Sequence, residues 1–218
     1  MTDYIKYPKI QHLPWSEGVD ADTDLVFTHD DLTSSFHGRQ VIVTEKMDGE
    51  NTSMYRDHIH ARSLDSRNHP SRNWVKNLHA RIAHEIPTGW RICGENLYAA
   101  HSIHYRELPG YFLVFAIYNE RNECLSWGDM VSYASILNLP VVPLLYRGPY
   151  NEERIRACYT GISVFGESKQ EGYVLRIDDS FPWIRHLVSL GKYVRAGHVQ
   201  TEGGWMHSAV KSNELANE

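Results

Sequence analysis

The sequence predicts a mixed α+β fold, in which antiparallel strands are interrupted by inserted helices. Short runs rich in β-branched and aromatic residues, such as residues 41–44, 111–118 and 172–177, predict strands. Apolar residues at helical spacing across residues 73–86 predict an amphipathic helix between two such runs. The chain has no internal repeat and no low-complexity linker, so these elements are those of an ordinary globular protein.

The predicted elements follow one another through most of the chain. The predicted strands are residues 25–27, 41–44, 52–55, 59–62, 90–95, 111–118, 123–125, 172–177 and 192–195, with a short extended piece at 139–143. The predicted helices are residues 73–86, 126–137, 151–159 and 181–190. Ser126 and Asp129 form a capping box for the second helix, and Asn151 caps the third. Pro87 and Gly89 end the first helix.

Composition sets limits on the domain organisation. With 218 residues, 42% of them hydrophobic, the chain can build a real core in one large domain or two small ones. We expect residues 1–36 to form an N-terminal arm packed on the domain, residues 37–200 the domain itself, and residues 201–218 a loose C-terminal tail. Three cysteines without metal-type spacing predict reduced thiols. With no apparent signal peptide or membrane-spanning run, we expect a cytoplasmic protein without a membrane partner.

The charge distribution excludes some classes of function. A net charge of −5 excludes a protein that is basic over its whole surface, so a polyanion would need a local basic patch. Such a patch is offered by Arg67, Arg72, Lys76 and Arg81, a pattern equally typical of the solvated face of a helix. The thirteen histidines are scattered, and no ordered ligand motif supports a histidine-rich metal hydrolase.

One charged turn interrupts the first pair of predicted strands. Lys46 and Asp48 stand two residues apart at its edge, and Gly49 allows a positive φ or a ligand pressed against the backbone. A partly desolvated lysine near other cations loses its proton more readily and can act as a nucleophile. A charged hairpin turn with a surface Lys-Asp pair would have the same sequence.

Four further stretches place a charged or aromatic group at the end of an apolar strand. These stretches are residues 94–98 with Glu95, 111–115 with Phe115, 171–173 with Glu171, and 192–195 with Lys192 and Arg195. Taken singly, each has a plain structural interpretation: an exposed turn acid, a core ring or a solvated strand edge. Their value lies in their order along the chain.

The ordered set resembles the covalent nucleotidyltransferases, the superfamily of polynucleotide ligases and mRNA capping enzymes. The local sequences around Lys46 and Glu95 are most similar to those of the RNA ligase branch typified by the second RNA ligase of phage T4. The resemblance covers roughly residues 40–200 and implies an ATP-grasp-like nucleotidyltransferase domain of antiparallel sheets flanked by helices. A match of five parts in order is far more specific than the lysine motif alone.

The resemblance implies a catalytic group built on the lysine. Lys46 would attack the α-phosphate of ATP and carry AMP as a lysyl-N-AMP, with Lys192 and Arg195 gripping that phosphate. Glu171 and Asp48 would hold Mg²⁺ or Mn²⁺. Crowding by the metal and by the neighbouring cations would make the Lys46 amine neutral enough to attack. Relatives often have two lysines separated by one residue in the last motif, so either Lys192 or Arg195 could contact the phosphate.

The resemblance also implies how the nucleoside is held. Glu95 would accept hydrogen bonds from the ribose hydroxyls, and Phe115 would stack on adenine. Glu45 would accept a hydrogen bond from the adenine amino group and so favour ATP over GTP. Gly49 would lie close to the nucleotide.

Two further residues are implied to lie where nucleotide and nucleic acid meet. Arg62 would bind either the nucleotide or a nucleic-acid phosphate, and Asn51 would lie near the reacting 3′ end. The implied activity is that of an ATP-dependent RNA ligase that joins 3′-hydroxyl and 5′-phosphate RNA ends. A ligase of nicked DNA, a GTP-using capping-type enzyme and a non-catalytic nucleotide- or RNA-binding module are alternatives. We expect no OB-fold domain, and a separate protein for strand binding or end healing stays open.

Overall fold

The computed structural model of the protein describes residues 4–65, 68–198 and 210–216. Its strands are β1 Gln11–His12, β2 Gln40–Lys46, β3 Glu50–Tyr55, β4 Ile59–Ala61, β5 Arg91–Asn96, β6 Phe112–Tyr118, β7 Glu123–Cys124, β8 Leu144–Pro149, β9 Gly172–Ile177, β10 Phe181–Pro182 and β11 Leu190–Val194. Its helices are α1 His29–Phe36, α2 Asn73–Ile82, α3 Trp127–Ile136, α4 Glu152–Arg156 and α5 His186–Ser189. Three 3₁₀ turns lie at Pro70–Arg72, Ala83–Glu85 and Trp183–Arg185. The predicted α+β class is confirmed.

The strands form two sheets. The first has the order β1-β11-β9-β2-β8 and the second β10-β7-β6-β5-β3-β4. Pairing within both is antiparallel except for β1, which runs parallel to β11. Val41, Ile42 and Val43 are fully buried because β2 lies inside the first sheet and is covered on both faces.

The lysine turn connects the two sheets. β2 ends at Lys46 in the first sheet, and β3 begins at Glu50 in the second. In the described part of the chain β2 and β3 are not neighbours, so the hairpin interpretation of the turn is wrong. Because the chain changes sheet at Met47–Gly49, the side chain of Lys46 lies where both layers meet.

Several elements differ from the prediction. α1 lies in the N-terminal arm, where we expected no helix, although Thr28 caps it by accepting a hydrogen bond from the amide of Asp31. β8 was missed because Gly148 and Pro149 argue against a strand, and such residues are tolerated at a sheet edge. The strand predicted at residues 25–27 is reduced to a single bridge between Val26 and β1.

The other differences are changes of length. The predicted helix 151–159 shortens to α4, although Asn151 caps it as expected. The predicted helix 181–190 divides into β10, a 3₁₀ turn and α5. No helix among the described residues is both long and apolar enough to cross a membrane.

The C-terminal segment, residues 210–216, is packed rather than loose. Asn213 is buried, and its side-chain amide donates to the carbonyl of Leu97 at 2.7 Å and accepts from the amide of Tyr105 at 2.8 Å. Leu215 forms a bridge with Leu108. The expectation of a loose tail is therefore wrong for this segment. The remaining residues of that tail, 199–209 and 217–218, lie outside the described residues.

Candidate active site

A cavity of about 520 Å³ lies at the meeting point of the two sheets. Residues from both sheets and from the N-terminal arm line it. Ten of the residues singled out in the sequence contribute to its lining: Glu45, Lys46, Asp48, Gly49, Asn51, Arg62, Glu95, Phe115, Glu171 and Lys192. The fold thus brings together groups that are separated by up to 147 positions in the sequence, since β2, β9 and β11 are adjacent strands.

An ion pair between Lys46 and Glu171 lies at the centre of the cavity. The Lys46 Nζ is 2.7 Å from Glu171 Oε1, and Lys46 keeps 27% of its side chain exposed while Glu171 is almost fully buried. The residue after Glu171 must be glycine, because a Cβ at position 172 would lie 1.9 Å from the carbonyl oxygen of Tyr193. The close approach of β9 and β11 therefore fixes where this carboxylate lies.

The charge of Lys46 depends on the carboxylates around it. Burial lowers its pKa, but the carboxylates of Glu171, Glu95 and Asp48 outweigh that effect, and the net direction is upward. In the free protein the ammonium of Lys46 is therefore stabilised, and the neutral amine expected beside a bound metal stays a prediction. Lys192 is the lysine with the depressed pKa, about 8, because it is buried and because Lys46 carries a like charge nearby.

Asp48 anchors the turn as well as lining the cavity. Its Oδ2 accepts from the Ser102 amide at 2.9 Å, the Ser102 hydroxyl at 2.7 Å and the Ile103 amide at 2.8 Å. Its own amide donates to the hydroxyl of Tyr105 at 3.0 Å. Oδ1 lies 3.9 Å from the Nε2 of His198. Asp48 therefore joins the turn to residues 102–105 and leaves Oδ1 for the cavity.

Gly49 has a packing role that the sequence did not indicate. Its φ lies outside the positive range, so of the two alternatives given for this glycine the positive φ does not apply. A Cβ at this position would lie 2.6 Å from the carbonyl oxygen of Asn96 and 2.7 Å from a Leu97 methyl group. Glycine is needed because the turn presses against the end of β5.

The carboxyl of Glu95 is held in its protonated form. Its pKa is raised to about 8 in all: burial raises it most, the ammonium of Lys46 lowers it, and the charges of Glu171 and Asp48 raise it. Near neutral pH this carboxyl can therefore both donate and accept a hydrogen bond.

The cavity lining also includes a buried acceptor and an aromatic ring. Glu45 is buried, and its Oε2 accepts from the amide of Val164 at 3.0 Å. Its Oε1 is buried without a hydrogen-bond partner among the described residues. Phe115 lies half-buried on the cavity surface with its ring edge-on to Tyr7, at a centroid distance of 5.2 Å. Glu45 and Phe115 therefore offer the cavity an unpaired hydrogen-bond acceptor and a flat aromatic ring.

The comparisons with known proteins agree with this geometry. The family model described as "RNA ligase" matches residues 39–194. The chain belongs to the RNA ligase family. That stretch contains β2, β3, β5, β6, β9 and β11, the strands that carry or flank the cavity residues of the sheets.

Solved structures of an RNA ligase from Naegleria gruberi share the fold. The form with PPi matches with a TM-score of 0.54 and 21% identity, over 76% of this chain and 52% of that one. A mutant form with ATP and Mn matches at 0.52 and 20%, over the same shares. A mutant apo form matches at 0.53 and 19%, over 87% of this chain and 57% of that one. This RNA ligase family chain thus spans little more than half the length of those chains. A comparison with curated proteins gives no match.

Among the predicted cations of this RNA ligase family member, Arg195 is set apart. It follows the end of β11 and is not among the described residues that line the cavity. Its Nη1 donates to the carbonyl of Ala196 at 3.1 Å. Of these two cations, Lys192 is therefore the one that lines the cavity.

The donors around Glu171 fit a divalent cation. Ligand atoms of Asp48, Glu171 and His198 lie within 4.8 Å of one another. Glu171 Oε2 is buried without a hydrogen-bond partner in the described chain, and His198 Nε2 lies 3.2 Å from Oε1. Two carboxylates and an imidazole suit Mn²⁺ well and Mg²⁺ through the carboxylates. Sequence reasoning missed His198, because no motif marks a histidine after β11.

The basic face of α2 is partly used within the protein. Arg72 is bound to Glu50, with its Nε donating to Glu50 Oε2 at 2.8 Å. Lys76 donates to the side chain of Asn68 at 2.5 Å, and Arg67 lies outside the described residues. The pairing of Arg72 makes it a link between α2 and β3.

Residues of the N-terminal arm were also missed. Asp24 and Lys9 line the cavity, and His12 contacts Asp24 through its Nε2 at 3.1 Å. No local pattern could have identified them, because their proximity to Lys192 depends on the parallel pairing of β1 with β11.

Proposed function

We propose that the protein is an ATP-dependent RNA ligase that works through a lysyl-N-AMP intermediate on Lys46. The observation that carries this proposal is the position of Lys46 Nζ in a cavity between two sheets, against a buried carboxylate and beside Lys192. Family membership supports the ligase class. The Naegleria ligase structures with PPi and with ATP and Mn support a nucleoside triphosphate as the substrate of this protein and a divalent cation as its cofactor.

The first step joins Lys46 to AMP. The Nζ lone pair forms a bond to the α-phosphorus, the bond from that phosphorus to the bridging oxygen breaks, and the electron pair leaves on pyrophosphate. Two protons leave the ammonium for solvent, one before the attack and one after it. Glu171 accepts a hydrogen bond from Nζ and holds it in position, and Lys192 offsets charge on the α-phosphate.

A divalent cation held by Asp48, Glu171 and His198 would offset the phosphate charge. The same carboxylates are those that raise the pKa of Lys46 in the free protein. Any positive charge that engages them therefore lowers the cost of deprotonating the nucleophile.

The nucleoside is recognised by three further residues of the cavity lining. Glu45 Oε1 offers the acceptor that an adenine amino group requires, whereas the guanine carbonyl at the same position would meet repulsion. The protonated Glu95 exchanges hydrogen bonds with the ribose hydroxyls. Phe115 provides a face for the base.

The later steps need RNA at the opening of the cavity. AMP passes from Lys46 to an RNA 5′-phosphate, and a 3′-hydroxyl then attacks that phosphorus and releases AMP. Arg62 and Asn51 line the cavity, and Arg62 Nε and Asn51 Oδ1 are buried without hydrogen-bond partners among the described residues. These groups are suited to a phosphate and to a hydroxyl donor respectively.

An adenylylation assay tests the proposal. Incubation with α-labelled ATP and Mg²⁺ should leave acid-labile label on the protein, and Lys46→Ala should abolish it. Lys6→Ala is the matched control, because Lys6 is exposed and does not line the cavity. GTP should give far less label than ATP, and 5′-phosphorylated RNA should discharge the adduct. A wild-type protein that takes no label would end the proposal.

A further inference from the structure

The N-terminal arm forms part of the wall of the cavity. Tyr7, Pro8, Lys9 and Ile10 line it together with Asp24. The arm is fixed there by β1, which pairs with β11 so that His12 lies beside Lys192. The amide of Leu13 donates to the carbonyl of Lys192 at 2.8 Å. The arm is therefore attached to the strand that carries Lys192.

One carboxylate, that of Asp24, lies near two lysines of the cavity lining. Asp24 Oδ1 lies 4.0 Å from Lys9 Nζ and 4.0 Å from Lys192 Nζ. Asp24 Oδ2 lies 3.1 Å from the Nε2 of His12 and accepts from the amide of Asp20 at 3.1 Å. The side chain of Asp24 is 7% exposed, so its ionised form is stabilised by these neighbours rather than by water.

The cluster has an excess of positive charge. Burial raises the pKa of Asp24, but the Asp20 hydrogen bond and the charge of Lys192 outweigh it, so the carboxyl is ionised. One negative charge faces the ammonium groups of Lys9 and Lys192, and Arg62 lies near enough to lower the pKa of Lys192. Separations of 4.0 Å are longer than a direct hydrogen bond, so ammonium protons of both lysines remain available to an anion.

The strand itself offers no second cation on this face. Alternation along β11 places Val194, which is fully buried, on the same side as Lys192. Lys9 is 49% exposed and reaches the cavity from the arm, with its Nζ also donating to the carbonyl of Thr23 at 3.2 Å. Lys192 is near enough to both Lys46 and Asp24 for their charges to shift its pKa.

We propose that Lys9, which shares the Asp24 carboxylate with Lys192, binds the terminal phosphates of the triphosphate and the pyrophosphate leaving group, while Lys192 contacts the α-phosphate. The proposal rests on the proposed function for the identity of the substrate, but the site itself is defined by the geometry of the arm. Lys9 is a binding residue for the leaving group in the first step and has no part in the later transfer of AMP to RNA.

Calorimetric titration with inorganic pyrophosphate in the presence of Mg²⁺ tests the site without turnover. We expect Lys9→Ala to weaken pyrophosphate binding by about tenfold, the effect of one charge-assisted contact. Lys9→Arg should restore most of the affinity, and AMP binding should be unchanged in both variants. Lys6→Ala, a nearby exposed lysine that does not line the cavity, is the control and should bind pyrophosphate as wild type does.

The outcomes separate this inference from the function on which it rests. Wild-type protein that labels with ATP while Lys9→Ala keeps full pyrophosphate affinity would overturn the inference alone. Wild-type protein that takes no label while Lys9→Ala weakens pyrophosphate binding would overturn the function and keep the anion site. Loss of AMP or RNA binding in Lys9→Ala, with pyrophosphate binding intact, would also overturn the inference.

Discussion

The two ends of the described chain reach the cavity in different ways. The N-terminal arm and the C-terminal segment both lie mostly outside residues 39–194, which match the RNA ligase family. The arm brings charged groups, Lys9 and Asp24, to the cavity surface. The C-terminal segment supplies none of the residues that line the cavity, and it acts through hydrogen bonds to backbone groups.

The C-terminal contacts lead to the lysine turn in two steps. Asn213 binds the backbone of Leu97 and Tyr105, and its own amide donates to the carbonyl of Tyr98 at 3.0 Å. Tyr105 in turn accepts a hydrogen bond from the amide of Asp48. Asn213 therefore fixes the loop that holds the turn, and we expect it to act as a positioning residue.

The comparison shows that flanking segments can contribute charge or order to the same site. A change in the arm should alter the binding of anions and the pH dependence with little effect on stability. A change in the C-terminal segment should lower stability and reduce every step of the reaction in parallel. These two patterns can be measured separately.

The largest effect is expected from Asn213→Ala. It removes two side-chain hydrogen bonds of a buried amide and leaves the Tyr105 amide and the Leu97 carbonyl unpaired, which should cost about 2–4 kcal/mol of unfolding free energy. Urea unfolding measures this, with the exposed Lys211→Ala as the control. An unchanged unfolding midpoint would show that the segment does not support the loop.

A smaller and different effect is expected from Asp24→Asn. The carboxylate raises the pKa of Lys192, which is about 8, so its removal should lower that pKa further. Below its pKa Lys192 is charged and can bind phosphate; the decline of kcat/KM for adenylylation should therefore begin at lower pH in the variant. A pH profile of kcat/KM measures this shift. An alkaline limit that does not move would contradict the assignment of Lys192.

A third effect, which depends on pH, is expected at Glu95, which neither end of the chain contacts through a described hydrogen bond. Its pKa is about 8 when folded and near 4.5 in the unfolded chain, so between these values the folded form retains a proton that the unfolded form has lost. Stability contributed by this group is therefore full below pH 4.5 and falls as the pH rises toward 8. Glu95→Gln should remove a slope of at most about 1.4 kcal/mol per pH unit. Unfolding at several pH values measures it, and an unchanged slope would contradict a protonated Glu95.

The sequence was informative where chemistry and strand pattern coincide. Lys46, Glu95, Glu171 and Lys192 stand in or beside strands whose apolar pattern is clear, so the elements that carry them could be predicted, and the structure brings all four to one cavity. The charge state of Lys46 could not be predicted, because it depends on three carboxylates from different parts of the chain.

Residues whose role arises from tertiary contacts were not predictable. Asp24 matters because β1 pairs with β11, and His198 because the chain returns over Glu171 after that strand. Asn213 lies in what looks like a polar tail, and its importance follows from three backbone partners more than a hundred positions away. Such long-range pairings leave no local pattern of spacing or composition.

The change of sheet at Met47–Gly49 has a mechanical consequence. Lys46 and Lys192 belong to one sheet, whereas Glu95 and Phe115 belong to the other. A nucleotide that contacts both sheets would link them across Lys46. Nucleotide binding should therefore raise the melting temperature of the whole protein. Bound substrate would thus stabilise the arrangement of the two sheets for as long as it stays in the cavity.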